Sequence, residues 1–191
     1  ALDQGTTSSR AILFDAAGRP LAVAQETFPQ HTRPLADAGA GGDLDQAIVE
    51  HDPEDLWRTQ LGCATRCLAE AGVRPEEVAA VGITNQRETT ILWDRATGQP
   101  VAPAVVWQSR VSAAICERLK AAGLEPEVRR QTGLLLDPYF SATKVMHLFE
   151  TQPGLRHRCP PAAVPFAPVD DFLICLPARA PGPPTNVTTR R

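Results

Sequence analysis

The sequence predicts a mixed α/β fold that opens with an antiparallel meander of strands. Two polar turns, at residues 4–9 and 15–18, separate short apolar runs, which is typical of consecutive antiparallel strands. Strong helix signals then run from Asp52 to Gly72, and further strand and helix patterns follow. The order of three strands, one helix, three strands and further helices disfavours a plain doubly wound dinucleotide-binding fold.

The first strands follow from apolar runs near the start of the chain. Residues 1–3 are predicted to end one strand, residues 11–14 to form the second and residues 21–28 to form the third. Residues 30–47 are rich in Gly, Ala and Asp and show no periodicity. We therefore expect that stretch to be a surface loop.

The first helix carries the clearest local signals. Asp52 is suited to cap the helix and Pro53 to its first position. Apolar residues from Leu56 onward recur at helical spacing, and Gly72 favours termination. The sequence therefore predicts an amphipathic helix that packs one face on the sheet.

Later elements are predicted from runs of apolar residues and their spacing. The continuous apolar run at residues 78–84 is typical of a buried strand. Residues 169–176 are compatible with either a helix or a strand. The remaining predictions are strands at residues 89–94 and 101–107 and helices at residues 109–122, 125–131 and 141–150.

Charge and hydropathy exclude several function classes. The chain has 19 basic and 22 acidic residues, so bulk charge does not favour a nucleic-acid or membrane-surface role. No apolar run approaches the roughly 18–20 residues of a membrane helix. Asp3 and Arg10 interrupt any signal-peptide core. We expect a cytoplasmic protein.

The cysteines support that expectation. The five cysteines are odd in number and form no C-x-x-C pair, which fits reduced thiols better than a disulfide framework. Cys63 and Cys67 lie four residues apart on the predicted helix, with no histidine placed to complete a zinc site. We expect both to be core thiols.

The C-terminal part differs from the rest. Nine of the 18 prolines fall in residues 151–191, where basic side chains outnumber acidic ones. The chain also begins with Ala1 instead of Met. These two features indicate a piece of a larger protein.

The first candidate site is the polar stretch from Asp3 to Arg10. A carboxylate at the end of a strand is suited to Mg²⁺, and Gly5 lets the backbone approach an anion closely. The turn offers successive N–H groups and several hydroxyls, and Arg10 adds a positive charge suited to phosphate. A solvated hairpin turn with no ligand is the alternative.

Two further groups of residues suit a small polyol. Arg87 and Glu88 are adjacent, so one donates and the other accepts hydrogen bonds to neighbouring hydroxyls. Trp107 and Tyr139 supply an aromatic wall and a phenolic hydroxyl. A surface ion pair and ordinary core packing are the respective alternatives.

Taken together and in this order, these stretches closely resemble the glycerol kinases, a group within the FGGY carbohydrate kinases. The resemblance covers residues 1–155. It implies an actin-like ATPase (ribonuclease H-like) domain, with a mixed sheet and flanking helices, that is incomplete here. Residues 156–191 are expected to be a divergent proline-rich tail, for which partial disorder stays open. The matching blocks are residues 1–10, 49–53, 82–90, 131–133, 137–141 and 142–144.

The resemblance implies a role for each candidate residue. Asp3 would lie near the Mg²⁺ that accompanies ATP. The first turn would face the β- and γ-phosphates with Thr6, Thr7, Ser8 and Arg10. Glycerol hydroxyls would be bound by Arg87, Glu88 and Tyr139, and Trp107 would wall the carbon backbone. The implied reaction is in-line transfer of the γ-phosphoryl group to a terminal hydroxyl, giving sn-glycerol 3-phosphate.

Several departures from the family pattern keep alternatives open. The family's catalytic base is an aspartate in a downstream Gly-Asp-Gln motif that has no matching position here, and residues 42–46 resemble it only superficially. The second, adenine-binding domain is also missing. We therefore expect an N-terminal fragment with no turnover of its own. A non-catalytic remnant or binding module, a related sugar kinase and a homo-oligomer stay open.

Overall fold

The computed structural model describes residues 1–35, 47–94, 97–152, 154–155 and 166–175. The strands are β1 (Leu2–Gln4), β2 (Ser8–Phe14), β3 (Pro20–Thr27), β4 (His31–Pro34), β5 (Ala47–His51), β6 (Ile83–Asn85), β7 (Ile91–Leu92), β8 (Ala104–Val105) and β9 (Phe166–Ala167). The helices are α1 (Pro53–Ala71), α2 (Ala113–Ala121), α3 (Glu125–Thr132), α4 (Ser141–Thr151) and α5 (Val169–Cys175), with a 3₁₀ turn at Pro75–Glu77.

The main sheet has the strand order β3-β2-β1-β6. Its first three strands form the predicted antiparallel meander, in which Leu2 pairs with Ala11. β6 joins the sheet parallel to β1, with Leu2 opposite Ile83. The predicted mixed α/β fold with a mixed sheet and flanking helices is confirmed.

Helix α1 covers one face of this sheet. Asp52 caps it by accepting a hydrogen bond from the backbone N–H of Glu54 at 2.9 Å, and Gly72 ends it with a left-handed φ of 64°. Cys63 and Cys67 are buried against the strands, in a cluster with Ala11 and Ala24. Both are free thiols, as predicted.

Two smaller sheets complete the described part of the fold. They have the orders β4-β5-β8 and β7-β9, and a single bridge between Thr90 and Val105 links β7 to β8. Helix α5 packs Phe172 edge-on against Trp93, with ring centroids 5.5 Å apart. Of the two structures left open for residues 169–176, the described part, Val169–Cys175, forms a helix. Within the described ranges, no helix is both long and apolar enough to cross a bilayer.

Two predictions about local structure are wrong. His31–Pro34 forms β4 and pairs with β5, although all four of its residues are exposed and show no apolar alternation. Residues 78–82 are not a buried strand, and Val81 is 62% exposed. The parallel partner β1 is only three residues long, so only residues 83 and 84 of the apolar run pair as part of β6. Residues 42–46 and the proline-rich tail outside residues 166–175 lie outside the described residues.

Leu56 tests the contribution of the buried face of α1. It is fully buried in a cluster with Phe28, Ile91 and Phe172. We expect Leu56→Ala to lower the free energy of unfolding by about 2–5 kcal/mol, because the lost side chain leaves a cavity. Leu61→Ala is the matched control, since Leu61 is 49% exposed on the same helix, and we expect a change within about 0.5 kcal/mol. Equal losses in urea unfolding would contradict this packing.

Candidate functional site

A row of polar side chains crosses the sheet on the face opposite α1. Asp3 pairs with Arg10 on one side and with Thr84 on the other, and Arg10 pairs with Gln25. Arg10 Nη1 lies 3.8 Å from Asp3 Oδ2, and Arg10 Nε and Nη2 donate to Gln25 Oε1 at 3.3 and 3.1 Å. Gln25 Nε2 in turn donates to Ser8 Oγ at 2.9 Å. Three predicted site residues, Asp3, Ser8 and Arg10, therefore share one surface.

The turn between β1 and β2 adjoins this row. The N–H of Gly5 donates to the carbonyl of Ser8 at 3.0 Å, and a Cβ at Gly5 would lie only 3.0 Å from that oxygen. Glycine therefore permits a tighter turn than a residue with a side chain would. Thr7 is exposed at the tip of the turn, and Thr6 is half-buried.

Buried polar contacts anchor the turn from the α1 side. Ser9 Oγ lies 2.7 Å from Thr59 Oγ1 and donates to Gln4 Oε1 at 3.1 Å. Gln4, Ser9 and Thr59 have no solvent exposure. Their hydrogen bonds pair the buried oxygen atoms of all three side chains, which ties the base of the turn to α1.

The second predicted turn lies directly beside the first. The N–H of Gln86 donates to the carbonyl of Gln4 at 2.7 Å, immediately before Arg87 and Glu88. Arg87 is exposed, and its guanidinium makes no hydrogen bond or ion pair among the residues described. Glu88 has a φ of 63° and accepts hydrogen bonds at Oε2 from the N–H and Oγ of Ser141, at 3.0 and 2.8 Å.

Trp107 connects the two turns to the aromatic part of the site. Its Nε1 donates to Thr6 Oγ1 at 3.0 Å, and its backbone N–H donates to Thr89 Oγ1 at 3.2 Å. The ring of Trp107 meets that of Tyr139 edge-on, with centroids 6.0 Å apart. Both rings line a cavity of about 420 Å³ that also has Arg110 in its wall. The predicted anion turn and the predicted aromatic wall are thus in direct contact.

Lys144 is a residue whose importance the sequence reasoning missed. Its side chain is fully buried, and Nζ donates to the carbonyl of Glu88 at 2.6 Å and to the carbonyl of Tyr139. Burial lowers the pKa of Lys144 to about 8. The negative charges of Glu88 and Asp137 act in the other direction and raise this pKa, but by less than burial lowers it. A sequence signal exists, because helical spacing places Lys144 one turn before the buried Leu148 on α4.

The side chains predicted to bind ligands fall into two linked groups. In the first group, Trp107 contacts both Thr6 and Tyr139. Lys144 then joins Tyr139 to Glu88 by bonding to the backbone carbonyls of both. Asp3, Ser8 and Arg10 lie beside it on the sheet face, while Thr7 and Arg87 project as exposed residues of the two turns. Their ligand roles stay predictions.

The residues present fit an Mg²⁺ that is held mainly by phosphate. Across the part of the chain that the structure describes, no group of three or more His, Cys, Asp or Glu side chains is arranged to hold a metal. Asp3 offers one carboxylate, whose side chain is 44% exposed, beside a turn rich in hydroxyls. Mg²⁺ in nucleotide sites takes one or two carboxylates together with phosphate oxygens and water, so this donor set suffices.

Comparison with known proteins places this site in a family. The model of the N-terminal domain of the FGGY family of carbohydrate kinases matches residues 1–175. The chain belongs to the FGGY family of carbohydrate kinases. The match includes β9 and α5, and the predicted boundary between a domain at residues 1–155 and a tail at residues 156–191 stays a prediction.

Two similar relatives are bacterial glycerol kinases. The glycerol kinase of Thermus brockianus is 52% identical over 174 residues, which is 91% of this chain and 33% of that protein. The glycerol kinase of Shewanella amazonensis has the same identity and the same coverage. The chain therefore spans about a third of the length of the curated relatives that it matches.

Solved structures share the fold. A crystal structure of Plasmodium falciparum glycerol kinase with ADP matches with a TM-score of 0.74 at 24% identity, covering 91% of this chain and 33% of that one. The xylulose kinase of Rhodospirillum rubrum matches with a TM-score of 0.72 at 18% identity, with 91% and 32% coverage. The predicted actin-like ATPase fold is confirmed by these neighbours.

The lowered pKa of Lys144 predicts how stability depends on pH. Between about pH 8 and 10.5 the unfolded chain keeps a proton on this lysine that the folded chain has lost, so the free energy of unfolding rises with pH. We expect the stability of the wild type minus that of Lys144→Met to increase by up to about 3 kcal/mol from pH 7.5 to 10.5. Urea unfolding at several pH values measures it. A difference that does not change with pH would contradict the buried, titrating lysine.

Proposed function

We propose that the protein containing this chain transfers the γ-phosphoryl group of ATP to a terminal hydroxyl of glycerol, giving sn-glycerol 3-phosphate. The observation that carries the proposal is the 3.0 Å hydrogen bond from Trp107 Nε1 to Thr6 Oγ1. It joins a turn suited to phosphate with an aromatic pocket suited to a small polyol. The glycerol kinase names of the similar relatives support the same substrate.

On the phosphate side, the first turn binds the β- and γ-phosphates. Its backbone N–H groups and the hydroxyls of Thr6, Thr7 and Ser8 donate hydrogen bonds to phosphate oxygens. The guanidinium of Arg10, which lies 3.8 Å from Asp3, adds a positive charge. Asp3 would hold Mg²⁺, which supplies charge neutralisation for the transferring phosphoryl group when it is bound.

On the polyol side, three polar side chains would bind the hydroxyls. Arg87 is an uncommitted donor at the surface of its turn, and Glu88 offers Oε1 as an acceptor because the Ser141 contacts use Oε2. Tyr139 contributes a phenolic hydroxyl, and the half-buried ring of Trp107 packs against the carbon atoms. A neutral polyol needs this pairing of donors and acceptors on a partly apolar wall.

Within this scheme the chain's own residues bind and orient the two substrates. Phosphoryl transfer depends mainly on positioning and electrostatic stabilisation, so a rigid link between the two sites contributes directly to rate. We expect the proton acceptor to be the aspartate of the family's Gly-Asp-Gln motif, outside these residues.

We also propose a cytoplasmic location, which the free thiols of Cys63, Cys67 and Cys116 support.

A hybrid enzyme tests the proposed reaction. Residues 1–175 of this chain replace the matching third of the Thermus brockianus glycerol kinase, and ADP release is measured with glycerol, xylulose and gluconate. We expect kcat/KM for glycerol to exceed the other two by roughly 10²-fold or more, because buried polar groups reject poorly matched hydroxyls. The unmodified Thermus enzyme is the control. A folded hybrid that prefers another sugar, or phosphorylates none, would contradict the proposal.

Arg87 gives a sharp test of the polyol site, because its side chain holds no other part of the described structure. We expect Arg87→Met to raise the KM for glycerol by about 10- to 100-fold, since hydrogen bonds from a charged donor are lost. The KM for ATP and the unfolding midpoint should change little. Arg129→Met, at an exposed arginine of α3, is the matched control. An unchanged KM for glycerol would remove Arg87 from the site.

A further inference from the structure

We propose that Lys144 is a positioning residue that holds the Glu88 turn and the Tyr139 loop together as one polyol-binding unit. The inference rests on the proposed function, because it concerns how that site is kept in shape. Lys144 does not itself face the ligand; it acts through the two residues that it bonds.

The first argument is the unusual pair of acceptors. A fully buried ammonium normally pairs with a carboxylate, because desolvation of an unpaired charge is costly. Here Lys144 Nζ donates to two backbone carbonyls, of Glu88 at 2.6 Å and of Tyr139, which lie 51 positions apart in the sequence. The lysine therefore links two segments that have no covalent reason to be adjacent.

The second argument is the backbone of Glu88. Its φ of 63° lies in the left-handed region, which glutamate adopts rarely and only where surrounding contacts enforce it. Two kinds of contact come from α4. The carbonyl of Glu88 bonds to Lys144, and the carboxylate bonds to the N–H and Oγ of Ser141. One helix thus sets both the backbone and the side chain of Glu88.

The third argument comes from the aromatic side. Nζ of Lys144 lies 5.8 Å from the centre of the Tyr139 ring, within range of a cation–π contact. The same ring meets Trp107 edge-on. The charged groups whose fields reach Lys144 are Glu88 and Asp137, and both favour its charged form. From its position on α4, the lysine therefore contacts both the Tyr139 ring of the aromatic wall and the turn that carries Glu88.

A methionine of similar length would fill the same space without the cost of burying a charge. It would remove the donor of the Tyr139 carbonyl and leave the Glu88 carbonyl only the longer hydrogen bond from Thr90 Oγ1, at 3.4 Å. Lys144→Met is thus the central variant, and Lys144→Gln restores an N–H donor without charge. Lys120→Met is the matched control, because Lys120 is a surface lysine of α2 bonded to Glu117.

Two measurements test the inference. The first is amide hydrogen exchange of the 191-residue chain by NMR. We expect exchange of the Ser141 amide to be at least about tenfold faster in Lys144→Met, with α1 amides unchanged. The second is steady-state kinetics of the hybrid enzyme. We expect the KM for glycerol to rise at least about tenfold while the KM for ATP stays within twofold, and Lys144→Gln to recover part of the loss.

The outcomes separate positioning from general stability and from the proposed reaction. Lys144→Met with normal Ser141 exchange and an unchanged KM for glycerol overturns the inference, as does faster exchange spread equally over α1. If Lys144→Met does not fold, the same readouts on Lys144→Gln decide. The exchange measurement needs no glycerol. Faster exchange that is confined to the Ser141 amide therefore upholds the positioning role of Lys144, even if the kinetic assay shows that glycerol is not the substrate.

Discussion

The parallel pairing of β1 with β6 is the constraint on which the rest of the site depends. Parallel strands bring their carboxyl ends to the same edge of a sheet, so the turns that follow β1 and β6 emerge side by side. The hydrogen bond from the N–H of Gln86 to the carbonyl of Gln4 extends this pairing beyond the strands. Residues about 80 positions apart in the sequence thereby form one surface. The hydrogen bond from Trp107 to Thr6 joins the aromatic part of the site to this surface.

The site is supported by buried polar contacts as much as by apolar packing. Ser9, Thr59 and Gln4 hold the first turn from the α1 side, and Lys144 holds the second turn from the α4 side. Buried polar groups are costly unless they are paired, and paired ones allow few alternative arrangements. This explains how two short turns keep a defined geometry while Thr7 and Arg87 at their tips stay exposed.

The sequence predicted the elements whose signals are local. The Asp52 cap and Gly72 bracket α1, and the apolar runs of β2 and β3 are placed to within a few residues. It failed where pairing partners decide the outcome. His31–Pro34 is a strand only because β5 lies beside it, and residues 78–82 are not a strand because β1 offers them no partner. Both errors concern backbone hydrogen bonds between distant segments, which side-chain patterns do not encode.

The sequence by itself determined the mixed α/β class, the core thiols Cys63 and Cys67, and the residue types suited to phosphate and to a polyol. It also carried the resemblance to the FGGY kinases, because matching blocks of residues need no coordinates to be recognised. Only the tertiary structure decided that Thr6 and Trp107 are in contact, that α4 holds Glu88 in a left-handed conformation, and that Lys144 is buried between two carbonyls. The physical reason is that each of these contacts joins segments brought together by sheet pairing and helix packing, and no local propensity specifies such distances.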